Sequence, residues 1–219
     1  MTTDLSFVYR VIITAVAIYL VFRYRTIDKP SRIICWLVWL GLLTEAAGYY
    51  SAVVYRTNYF VFNISFFAEF ALMSFYFIYS NKSLAKRNSG VYVTIAALVL
   101  GGLNSCLFQS PRDTLNSHFL FLECIVVMCF ALLSLFRLLL ADDDKLQLHR
   151  MVHIWLPCIL LFYQCATMAA WGVYELPGQD DEAAILDKLI LTINIMTYAG
   201  YGIVFLLYPK MKMPYVSTG

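Results

Sequence analysis

Residues 59–80 read YFVFNISFFAEFALMSFYFIYS. The stretch holds no lysine, arginine, proline or glycine, and a single glutamate, Glu69, stands at its centre. A bilayer core about 30 Å thick is crossed by roughly 20 apolar residues in a helix. A strand of an outer-membrane barrel is about ten residues long and alternates apolar with polar. This stretch is twice that length and does not alternate. Backbone groups in lipid must be paired within their own segment, so the stretch is predicted to be a transmembrane helix.

Six more blocks of the same kind flank it, at 5–22, 33–54, 90–109, 116–140, 152–174 and 184–208. The expected fold class is therefore all-α: one bundle of seven transmembrane helices over residues 1–219, with no soluble domain. Composition agrees. The chain is 61% hydrophobic and 14% charged, against about 25% charged in an ordinary soluble domain. Seven full-length spans leave too little polar surface to cover a water-soluble body. The first block is not expected to be a cleaved signal, because its leading residues Thr2, Thr3 and Asp4 are not basic and Arg23 and Arg25 follow it.

The breaks between blocks carry the orientation. Arg23, Arg25, Lys29, Arg32, Lys82, Lys86, Arg87, Arg137, Lys145, Arg150, Lys210 and Lys212 fall on one side. Arg10, Arg56, Arg112 and Lys188 fall on the other, which also carries Asp4, Asp113, Glu175, Asp180, Asp181, Glu182 and Asp187. Lysine and arginine favour cytoplasmic loops. The N-terminus is thus expected outside and the C-terminus in the cytoplasm, in a plasma membrane, most simply a bacterial inner membrane. The net charge of +2 sums a basic inner face and an acidic outer one. The basic face meets anionic lipid headgroups. No concentrated basic surface for nucleic acid exists.

None of the breaks is long enough to fold alone, and no P-loop, dinucleotide glycine pattern or kinase signature occurs. No cofactor is implied. Chemistry or recognition must lie within the membrane, at its rim, or in a separate partner. Pro157 is the one proline inside a block, unlike the repeated proline kinks of the seven-span sugar carriers. Cys35, Cys106, Cys124, Cys129, Cys158 and Cys165 all lie in apolar blocks, where a thiol usually serves as a small hydrophobe.

Polar residues inside the blocks are the candidate site. A charged group at the bilayer centre costs about 2.5–3.5 kcal/mol or more, so it faces the bundle interior and often marks function. Glu45, Glu69 and Glu123 qualify, and they outnumber the nearby cation Arg10, so at least one is expected to be neutral. At 1.5 Å per residue, Glu69 is placed near the midplane, with Glu45 and Glu123 nearer the outside. Asn63, Asn104, Gln164, Asn194 and Tyr198 lie at similar or shallower depths. Helical spacing puts Gln164, Thr167, Trp171 and Tyr174 on one face, and Asp187, Asn194, Tyr198 and Tyr201 on another. These residues predict a polar cavity in the outer half. Gly41, Glu45, Gly48 and Ala52 form a stripe suited to close helix packing.

His149 and His153 have the HxxxH spacing of many metal sites. No third histidine lies at that depth, because His118 belongs to the opposite side, so no metal is expected.

The plan resembles that of small bacterial seven-helix membrane proteins and of the seven-span sensor regions that precede some signalling domains. Its local carriers are Thr44-Glu45-Ala46-Ala47-Gly48-Tyr49-Tyr50 and Asn63-Ile64-Ser65-Phe66-Phe67-Ala68-Glu69-Phe70. The resemblance implies a sensor or receptor-like module and lends no catalytic residues. Such a module would bind a small or lipid-derived ligand in the outer half and act through a separate partner protein. A small-solute or proton-coupled transporter is the alternative, and an intramembrane enzyme using carboxylates the third. A retinal protein is disfavoured because Lys188 lies at the outer mouth of the last block rather than deep within it.

Overall fold

A computed structural model describes residues 2–81, 84–85, 88–140, 152–174 and 180–210. Among the described residues there are seven long helices: α1 (Thr2–Arg23), α2 (Lys29–Tyr55), α3 (Tyr59–Ser80), α4 (Ser89–Leu107), α5 (Ser117–Leu140), α6 (Val152–Tyr174) and α7 (Asp180–Leu207). Short 3-10 turns follow α1 and α7, and no strand occurs among the described residues. All seven helices are long and apolar enough to cross a membrane. α3 and α6 have the bounds expected from sequence, and the others differ by a few residues.

Local chemistry explains those differences. α2 begins four residues earlier than its apolar run because Pro30 sits in the first turn, where its missing N–H costs nothing. Arg32 reaches back, its Nε donating to the Ile27 carbonyl at 2.8 Å, and fills part of the break after α1. α2 ends when Arg56 turns left-handed at φ 58°. Ser51 Oγ braces the short α2–α3 turn by donating to the Thr57 carbonyl at 2.7 Å. α4 stops at Leu107, where the Asn104 carbonyl accepts both the Phe108 and Gln109 N–H groups.

The helices alternate in direction. One end of the bundle, the mouth, gathers the starts of α1, α3, α5 and α7 with the ends of α2, α4 and α6. The other end is the base. Neighbour contacts run from α1 through α2, α3, α5, α6 and α7 and return to α1, which closes a ring of six. α4 packs on α3 and α5 and buttresses their joint. Side chains stitch the ring closed: Trp39 Nε1 donates to the Ala17 carbonyl at 3.1 Å and Tyr19 Oη to the Phe205 carbonyl at 3.3 Å.

The two halves of the ring are packed differently. Toward the base, Ile34, Met73, Tyr76, Phe77, Leu156, Leu160, Tyr201 and Phe205 are almost fully buried in one core. Toward the mouth, the ring stays open at its axis. Outward faces are largely apolar: Phe22, Leu107 and Phe108 are each more than two-thirds exposed. A contiguous apolar exterior of this kind is foreign to soluble monomers.

Candidate functional site

The axial space in the mouth half is a cavity of about 1180 Å³. All six ring helices line it, and α4 lines none of it. Tyr9 and Arg10 come from α1, Gly41, Thr44 and Glu45 from α2, and Phe62, Phe66 and Glu69 from α3. α5 adds Ser117 and Leu120, α6 adds Tyr163, Thr167 and Trp171, and α7 adds Asp187, Asn194 and Tyr198. Asp113 and Thr114, from the α4–α5 loop, stand at the rim. Glu69, Tyr163 and Tyr198 form the floor, which they share with a void of about 20 Å³ immediately toward the base. Below that void the buried aromatic core closes the axis.

Glu45, Glu69, Asn194 and Tyr198 of the expected site residues therefore meet in one cavity. Glu45 stands beside the Tyr9 hydroxyl, and the Tyr9 ring lies 5.8 Å from that of Tyr198. Arg10 is near enough for its charge to act on Glu45, while its guanidinium lies over the Tyr49 ring at 5.2 Å. Glu69 takes no hydrogen bond from a described residue, and the charges it feels are those of Glu45 and Glu123. Gly41 is present for want of space: a methyl group there would overlap the Tyr198 hydroxyl.

The remaining expected residues lie elsewhere. Glu123 is buried on α5 beside Gln164, outside the cavity lining, and its Oε2 has no partner. Gln164 also donates to Met73 Sδ at 3.3 Å. The α6 face toward the cavity is thus Tyr163, Thr167 and Trp171. Gln164 is turned from it by the 100° that separates successive helical residues.

Asn63 and Asn104 serve the α4–α5 loop. Asn63 Nδ2 donates to the Pro111 and Thr114 carbonyls at 3.0 and 2.8 Å, and its Oδ1 accepts the Asn116 N–H at 2.8 Å. Asn104 Nδ2 donates to Asn116 Oδ1 at 2.5 Å and to Gln109 Oε1 at 2.8 Å. Both residues shape the rim from behind.

Tyr9 and Tyr163 are cavity residues that sequence reading did not single out. The spacing of Tyr163 to Thr167 and Trp171, at i, i+4 and i+8, could have found the second. Nothing local marks Tyr9, whose neighbours Val8 and Arg10 are exposed.

A second polar cluster occupies the base. Tyr208 Oη donates to Asp28 Oδ1 at 2.5 Å and accepts the Asp28 N–H at 2.7 Å. His153 Nε2 lies 3.4 Å from Asp28 Oδ2, with its ring stacked on Tyr76 at 6.4 Å. Burial by itself would raise the Asp28 carboxyl, but the bonds with His153 and Tyr208 outweigh it and bring it from 3.8 down to about 2. The cluster ties the start of α2 to the start of α6 and the end of α7. His149 lies outside the described residues, so the HxxxH pairing does too. No family model, no curated protein and no solved structure matches the chain.

Proposed function

We propose that the protein is a multi-pass membrane receptor-like module that binds a small ligand in its mouth-side cavity and acts through a separate partner. The observation that carries this reading is the one-ended cavity. Six helices converge on a space of about 1180 Å³, larger than the usual ligand pocket of about 300–1000 Å³. Its far side is sealed by packed aromatic side chains. A pocket that collects helices from the whole ring but does not cross it suits detection better than passage. A ligand seated there touches every ring helix and can shift their packing, which a partner at the base would read.

The membrane setting rests on the exterior. Exposed Tyr49, Tyr50, Tyr55 and Tyr59 band the mouth, and exposed Trp36, Tyr79, Tyr92 and Trp155 band the base. Such aromatic belts mark the two lipid–water interfaces. From Trp36 to Tyr55 the helix rises roughly 28 Å, close to a hydrocarbon thickness. With the lysine and arginine bias at the base, the mouth faces outside and the base faces the cytoplasm.

Labelling tests the reading. In a background lacking the six native cysteines, Asn194→Cys should react with a membrane-impermeant thiol reagent applied from outside and not from the cytoplasmic side. Ser74→Cys, below the floor, should react from neither. Cytoplasmic labelling of either position would show a continuous path and overturn the one-ended cavity.

One observation favours proton-coupled transport as a second reading. Between the floor and the base, Ser74 Oγ, Tyr76 Oη and His153 Nδ1 are buried without hydrogen-bond partners, and the Ser31 hydroxyl stands beside Asp28. Tyr76 stacks on His153, which lies beside Asp28, where a relay would reach the base. Proton movement through proteoliposomes that is lost in Tyr76→Phe would establish this reading over the first.

A further inference from the structure

We propose that the cavity takes an organic cation, a molecule with an amine or quaternary ammonium head and an apolar body, whose head sits between Glu69 and Glu45. The inference rests on the binding reading above and names the chemistry of the ligand. Four carboxylates line the space, from Glu45, Glu69, Asp113 and Asp187, against the single guanidinium of Arg10. At the rim, Asp113 accepts the Ser110 hydroxyl at 2.7 Å. Arg10 is engaged by the Tyr49 ring and by the field of Glu45. Glu69 stands apart. It is the deepest acid of the cavity, it receives no hydrogen bond from a described residue, and no side-chain cation reaches it.

Tyr163 and Tyr198 stand with Glu69 on the floor, and Tyr9, Phe62, Phe66 and Trp171 line the cavity above them. Ring faces attract ammonium groups, most strongly where water is displaced. A carboxylate floor inside an aromatic wall is complementary to such a head twice over, by charge and by ring quadrupole. An anionic ligand would meet four acidic side chains and one guanidinium. A neutral ligand would displace water from Glu69 and leave it without a partner. The carboxylates at the rim also raise the local concentration of cations at the entrance.

Two probes of the same shape separate the possibilities: benzyltrimethylammonium and its uncharged carbon isostere neopentylbenzene. Both would be titrated, to their solubility limits, into the full-length protein in lipid nanodiscs. Trp171 is the one tryptophan of the four that lines the cavity, so its fluorescence reports occupancy, and Trp171→Phe identifies the signal. The expected result is saturable binding of the cation with at least about tenfold preference over the isostere. Glu69→Gln should abolish most of that preference, and Glu69→Asp should keep most of it. If Glu69→Gln is not monodisperse, Glu45→Gln serves in its place, with a smaller loss expected. Equal binding of both probes, unchanged by these variants, would overturn the cation and leave the cavity as a binding site. Binding of neither would also overturn the cation, and the labelling of Asn194→Cys would then decide separately whether the cavity is open to the outside.

Discussion

Asp28 shows how much one residue outside the spans can hold. Its backbone N–H and its carboxylate both engage the Tyr208 hydroxyl, and its second oxygen faces His153. Asp28→Asn keeps the shape and loses the charge. The expected destabilisation at neutral pH is about 1–2 kcal/mol, at the lower end because water at the rim screens the pair. The pH dependence follows from the direction of the shift. The folded carboxyl is lowered from 3.8 to about 2. Its contribution is therefore present in full above about pH 4 and is lost as pH falls toward about 2. Thermal unfolding of the two proteins should differ at pH 6 and converge toward pH 2, both values being about what the shift requires. A gap that widens as pH falls would contradict the assignment. At Glu45 and Glu69, by contrast, residue type was enough to mark them as candidates, because an acid within an apolar run is costly wherever it points. Residue type could not tell them from Glu123, which faces Gln164 instead.

At the scale of the element, α5 begins on a side chain that does several jobs. Asn116 Oδ1 caps the helix by accepting the Phe119 N–H at 3.2 Å and also accepts from Asn104. Its Nδ2 donates to Ser105 Oγ at 2.6 Å, and its own N–H is held by Asn63. Loss of an ordinary N-cap costs about 1 kcal/mol. Asn116→Ala also strands partly buried groups on α4, Asn104, Ser105 and the Gly101 carbonyl, so a loss of about 2–3 kcal/mol is expected. Asn116→Asp, which keeps the cap, should lose less, and thermal unfolding in detergent measures both. Asn63 and Asn104 belong to this same device. In the sequence they look like Asn194, since all three are asparagines at similar depth in apolar runs. What separates them is the partner that tertiary packing brings: loop carbonyls and Asn116 for the first two, an open space for the third. The α4–α5 pairing also depends on Gly101, where a methyl group would overlap the Phe119 ring. That ring is stacked on Phe67 at 4.3 Å. α4 is thereby held close against α5 and away from the axis.

For the whole molecule, topology is the first quantity to test. Thr57→Cys and Gln179→Cys should label from outside in intact cells, and Ser89→Cys only after the membrane is opened. Ser89 is exposed at the base, whereas Asn81, the nearer loop residue, is buried and bonded to Ser134 and Arg137. Protection of Thr57 and Gln179 in intact cells would reverse the orientation. The sequence by itself determined the number of helices, their approximate ends and their alternating direction. It could do so because those features follow from local requirements: a backbone in lipid must bond within its own segment, and a span must match the bilayer in length. It also placed Gln164, Thr167, Trp171 and Tyr174 on one face and Asp187, Asn194, Tyr198 and Tyr201 on another, since helical period is local too; of these, Thr167, Trp171, Asp187, Asn194 and Tyr198 line the cavity. Only the tertiary structure decided which faces meet. It closed α7 onto α1, set α4 outside the ring and turned Gln164 away from the axis. It brought Tyr9 from the first helix beside Glu45 and Tyr198. Which helix neighbours which depends on the fit of side chains far apart in the chain, such as Gly41 against Tyr198, and no periodicity within one segment encodes that.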